Sequence, residues 1–89
     1  MEFEWDPRKA EYNRRKHGVD FVEAATIFND PLSITYSDPD HSDDEERFII
    51  IGMSVAGRLL IVAHTDRHNV TRLISAREVI NRERKLYEG

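Results

Sequence analysis

Residues 47–77, RFIIIGMSVAGRLLIVAHTDRHNVTRLISAR, decide the fold. They hold three apolar runs, RFIIIGM, RLLIVAHT and VTRLIS, with four residues between one run and the next. Each run is far shorter than the roughly 18 apolar residues a membrane span needs. Each reads as a buried strand bounded by turn residues. Connections this short join antiparallel neighbours, because a parallel return needs a crossover of about a dozen residues or more. Upstream, LSITY alternates Leu32, Ile34 and Tyr36 and adds a further strand. The prediction is an antiparallel meander.

The flanks read as helices. EFEW alternates and opens as a short strand, and Asp6-Pro7 then starts a helix. Asp6 caps free N–H groups there, and Pro7 stands where its missing N–H costs nothing. Trp5 and Ala10 have the spacing of a hydrophobic staple. This helix stops at Gly18, with Lys16 and His17 in its last turn, where cations suit the dipole. A second helix is expected at once, with Asp20 as cap and Glu23 in capping-box spacing. Its apolar stripe is Phe21, Ala24, Ala25 and Phe28, and Asn29-Asp30-Pro31 ends it. After the last strand, Ser75-Ala76-Arg77-Glu78 matches an S-x-x-E box and predicts the start of a final helix with Ala76, Val79, Ile80 and Tyr87 on its apolar face. Glu83 falls on the same stripe. The order β-α-α-β-β-β-β-α is an α+β domain with two N-terminal helices, a meander, a C-terminal helix, and the helices on one face of the sheet.

Eighty-nine residues allow one small domain, residues 1–89, with a thin core. There is no cysteine, no apolar leader in MEFEWDPRKAEY and no membrane-length run, all of which suit a cytoplasmic protein. The net charge of -4 conceals two parts of opposite sign. Residues 29–46, NDPLSITYSDPDHSDDEE, carry seven acids and no base; without them the rest holds 13 bases against 10 acids. SDPDHSDDEE reads as a solvated loop on a mildly basic body.

Bases gather late in the chain, at Arg72, Arg77, Arg82, Arg84 and Lys85. On an alternating strand Arg72 points away from Leu73. Arg77, placed in a first helical turn, opposes the dipole, a local cost that hints at a use. Of the histidines, His41 and His68 read as solvated, His17 as a helix end and His64 as a strand end. His64 or His17 is the candidate for proton transfer. No metal site is expected: cysteine is absent, no two histidines stand at i, i+4, and the acidic loop lacks the glycine and glutamate of a calcium loop. There is no Gly-rich phosphate loop and no G-x-S-x-G elbow. RNA cleavage is compatible with such an inventory, because the 2′-hydroxyl attacks its own phosphate and the protein needs only to hold the backbone, move a proton and stabilise charge, but composition alone does not select this reaction.

Four blocks, FEWDPRKAEYNRRKHGVDFVEAATIF (3–28), ERFIIIG (46–52), LLIVAHTDR (59–67) and RLISAREVINRERKLY (72–87), resemble the successive signatures of the BrnT toxin family. The pairing of WDPRK, KHGVDF and RLISAR at these separations carries the resemblance. It implies a RelE-like ribonuclease fold and a type II toxin, a metal-independent endoribonuclease without cofactor that arrests translation. It also implies neutralisation by a BrnA-type antitoxin, through which alone the complex touches DNA. The matching positions are Lys16, His17, Arg47, His64, Arg72, Arg77, Glu83 and Tyr87. Arg72 and Arg77 are then expected to stabilise phosphate and transition state, with His64 or His17 moving the proton. Lys16, Arg47, Arg82 and Tyr87 are the expected RNA contacts, Tyr87 by stacking on a base. The rival reading is a non-catalytic subunit whose only task is to bind the partner of a DNA-binding repressor complex.

Overall fold

The computed structural model of the chain describes residues 1–38, 40 and 45–89. The middle of the acidic loop, His41 included, lies outside the described residues. The elements in chain order are β1 (Glu2–Glu4), α1 (Pro7–His17), α2 (Phe21–Thr26) continued by a 3-10 turn (Ile27–Asn29), β2 (Ile34–Ser37), β3 (Arg47–Met53), β4 (Leu59–Arg67), β5 (Val70–Glu78) and α3 (Asn81–Glu88). No helix among the described residues is long and apolar enough to cross a membrane.

Strands β2 to β5 form the expected meander, but the sheet order is β1-β5-β4-β3-β2 and β1 runs parallel to β5. The sheet is therefore mixed, not purely antiparallel. No hairpin ties β1 to its partner, so the alternation of EFEW carried no information on direction. The β4–β5 hairpin closes on His68 and Asn69, both at positive φ (48° and 70°), between paired Arg67 and Val70. Two left-handed residues in a row make the type I′ turn that matches strand twist.

The core has two sides. On one, Ile50, Leu60, Val62, Leu73 and Ala76 meet Val19, Phe21, Ala24 and Ile27 of the α1–α2 layer. On the other, Ile51, Leu59 and Ile61 pack with Ile34, Ile49, Val79 and Tyr87. Helix α3 thus covers the face opposite α1 and α2, and the helices do not share one face as the sequence suggested.

Helix α1 begins as read: the Asp6 carboxylate accepts from Arg8 N at 2.8 Å, and Gly18, at φ 69°, ends it with its N–H on Arg14 O. Trp5 and Ala10 both pack against the core, and Trp5 stands edge-on to Phe21. Two expected capping boxes are absent. Asp20 has extended backbone but makes no side-chain cap bond, and Glu23 turns instead to Arg58 (2.5 and 3.0 Å) and Ser54 (2.6 Å). Ser75-Ala76-Arg77-Glu78 is not a helix start: these residues lie in β5, paired with Leu60 to Ala63. A ladder of long-range hydrogen bonds outweighs one local box. The box carboxylate of α3 is Glu83, which accepts from Ile80 N at 2.9 Å.

Candidate active site

Strand β1 pairs only as far as Arg72, so the second half of β5 has a bare edge facing α1. Asn13 closes it. Its amide donates to Ala76 O (2.8 Å) and Val19 O (3.0 Å), and its carbonyl accepts from Ala76 N (2.9 Å). A side-chain amide here takes the place of a neighbouring strand, and a buried edge needs such a partner.

Fixing Ala76 fixes Arg77. Alternation alone puts residues 72 and 77, five apart, on opposite faces. The β4–β5 ladder skips one residue, however: Leu73 pairs with His64 and Ser75 with Ala63, leaving Ile74 as a bulge. A bulge reverses the parity of everything beyond it. Leu73 and Ala76 both reach the α1–α2 core, and Arg72 and Arg77 both stand on the α3 face.

On that face lies a depression of about 150 Å³ lined by His17, Ile49, Ile61, Ala63, Ser75, Ala76 and Arg77. His17 enters from the last turn of α1 and Arg77 from β5. The Arg77 guanidinium donates to both carboxylate oxygens of Glu83 (2.8 and 2.7 Å) and to Glu78 O (3.2 Å). Glu83 is nearly enclosed, its side chain 13% exposed against 39% for Arg77. The Arg77 hydrogen bonds hold its pKa below the carboxylate range. Burial, helped by the Glu83 charge, raises the pKa of Tyr36, so its hydroxyl stays protonated beside the pair. Helix α3 is latched over the face at its far end, where Tyr87 donates to Asp30 at 2.6 Å.

The structure separates the expected site residues into groups. His17 and Arg77 line one depression. Arg47 and Arg72 flank Thr65 in the same cross-strand row of that face. His64 lies on the other face, 4% exposed, stacked on Phe48 and edge-on to Phe28, with Asp66 Oδ1 3.2 Å from Nδ1. Burial lowers its pKa, Asp66 only partly opposing this, and Nε2 has no partner among the described residues. Lys16 rests 5.6 Å over the Tyr12 ring. Arg82 is exposed on α3, and Tyr87 is committed to Asp30. Sequence reasoning passed over Asn13, Tyr36 and Ser75. Asn13 had a signal: a lone asparagine inside a helix of poor propensity asks for a tertiary partner.

A search of curated protein sequences finds no match. The chain is similar in fold to the crystal structure of the Brucella abortus ribonuclease toxin BrnT, at a TM-score of 0.67 and 23% identity, over 91% of this chain and 99% of that one. Residues 5–83 match the family model described as the ribonuclease toxin BrnT of a type II toxin–antitoxin system. The chain belongs to the BrnT family of ribonuclease toxins of type II toxin–antitoxin systems.

Proposed function

We propose that the chain is a metal-independent endoribonuclease of the RelE type that cleaves RNA by attack of a 2′-hydroxyl on the adjacent phosphate. The observation that carries this reading is the pairing of His17 with Arg77 in one depression on the α3 face. His17 takes the proton of the attacking 2′-hydroxyl. The new bond joins O2′ to phosphorus, the bond to O5′ breaks, and O5′ takes a proton from water. The products are a 2′,3′-cyclic phosphate and a 5′-hydroxyl. Glu83 and Glu78 O take up the end of the Arg77 fork, and the remaining guanidinium N–H groups serve the phosphate oxygens that gain charge. Tyr36, kept protonated, donates to the same oxygens. Glu83 orients Arg77, whose hydrogen bonds lower the pKa of Glu83 and keep it charged. His64, on the opposite face in an apolar cage, takes no part in this reaction.

In the cell this cleavage arrests translation in the cytoplasm, and a BrnA-type antitoxin neutralises it and carries the contact with DNA. The test is cleavage of RNA by Arg77→Ala and His17→Ala beside the parent chain, each checked for folding by circular dichroism. Arg77→Ala is expected to lose about 10²–10³-fold in rate with its fold intact. Equal rates in the folded variant would remove Arg77 from the site. Absence of cleavage by the parent chain, both on free RNA and on translating ribosomes, would favour the non-catalytic binding subunit.

A further inference from the structure

We infer that Arg47, Thr65 and Arg72 form a second phosphate subsite, which binds a non-scissile phosphodiester of the same RNA strand that is cut beside Arg77. The inference rests on the ribonuclease reading only for the identity of the strand; the subsite itself stands on geometry. Three strands bring these residues into one cross-strand row, Arg47↔Thr65↔Arg72, on the α3 face. Thr65 is 4% exposed, and its hydroxyl has no hydrogen-bond partner among the described residues. A buried hydroxyl left unpaired between two guanidinium-bearing side chains is a group waiting for an acceptor.

The neighbours leave donors free. Arg72 gives Nη1 to Glu4 at 2.8 Å, and its other hydrogen-bond donors are unassigned among the described residues. Glu45 is drawn to Arg67, which holds it by both oxygens, and it feels the charges of Arg72 and Arg47 as well. Asp38, whose N–H donates to Arg47 O at 2.8 Å, continues the row, so Arg47, Arg67 and Arg72 stand against Glu4, Asp38 and Glu45, and a phosphate competes with carboxylates that these guanidinium groups already attract.

The spacing points to a flanking phosphate and not to a second contact with the scissile one. Along β4, Thr65 pairs with Arg72 and Ile61 with Arg77. Four residues of strand separate the two rows by about 13 Å. A nucleic-acid strand rises about 3.4 Å per nucleotide when stacked and further when splayed, so the second phosphate lies roughly two to four nucleotides from the cut. Two fixed phosphates set the direction and register of the strand across the face, while the bases stay free.

The test couples single phosphates to single side chains. The probe is a non-cleavable 2′-O-methyl heptanucleotide, with each phosphate in turn replaced by an uncharged methylphosphonate, bound to the full chain and followed by fluorescence anisotropy. One position distinct from that sensed by Arg77 should weaken parent binding about tenfold. At that position Arg72→Ala and Thr65→Val should show no further loss, whereas Arg77→Ala should still show it. Thr65→Val keeps shape and removes the unpaired hydroxyl, so it should raise Tm while weakening the probe. A purely structural threonine would not separate the two readouts. Additive losses in Arg72→Ala and Thr65→Val, or no measurable binding by the parent chain, would overturn the subsite. Cleavage of unmodified RNA is scored separately: coupling without cleavage sinks the ribonuclease reading alone, and cleavage without coupling sinks the subsite alone.

Discussion

At the scale of the residue, two buried polar side chains matter for opposite reasons. Asn13 is fully satisfied and ties α1 to the strand that carries Arg77. Replacing it with alanine orphans both backbone groups of Ala76, which should cost about 2–4 kcal/mol, read as a lower urea midpoint at unchanged m-value. Because Ala76 sets the position of Arg77, cleavage by the folded variant should fall as well. His64 is unsatisfied at Nε2 and is held neutral by burial. Its folded pKa lies below the usual value of 6.5, so the unfolded chain binds the extra proton first. The stability His64 contributes is full above pH 6.5 and is lost as pH falls from there toward the folded pKa. The Asp66 charge opposes the burial of His64 and narrows that window. His64→Phe should flatten the stability profile on the acid side of pH 6.5. An unchanged slope in this variant would assign the pH dependence elsewhere.

At the scale of the element, β5 and α3 make the site together. The bulge at Ile74 puts Arg72 and Arg77 on one face, and α3 folds back over that face to orient Arg77 through Glu83. Ending the chain after residue 80 removes Glu83 and the Tyr87 latch and uncovers Ile51, Leu59 and Ile61. The shortened chain should lose about 2 kcal/mol or more, bind a hydrophobic dye, and cleave poorly because Arg77 is no longer held. A shortened chain with parent stability would show that α3 is not part of the cooperative fold. These elements also mark where sequence reading succeeds and fails. Strands β3 to β5 were legible because the apolar runs are long and the turns short. The Asp6 cap and the Gly18 stop were legible because local chemistry settles them. The end of β5 was not: Ser75 and Glu78 imitate a capping box, and only pairing with β4 reveals them as strand. The bulge leaves no mark in periodicity, so nothing in residues 72–77 said that both arginines share a face.

At the scale of the whole molecule, the sheet divides the work. One face, with α1 and α2, holds the main core and His64; the other carries His17, Arg77 and the Arg47–Thr65–Arg72 row. Of the candidate site, Arg72, Arg77 and His17 were named from sequence, while the choice between His17 and His64 required knowing which face each histidine occupies. That division is what the proposed ribonuclease account depends on, because it brings His17 and Arg77 to one depression. The most direct test is mass spectrometry of the ends produced when the purified chain cuts RNA in the presence of EDTA. The expected products carry 2′,3′-cyclic phosphates and 5′-hydroxyls, and His17→Ala and Arg77→Ala should make few of them. Ends with 3′-hydroxyls and 5′-phosphates, or cleavage abolished by EDTA, would contradict the account.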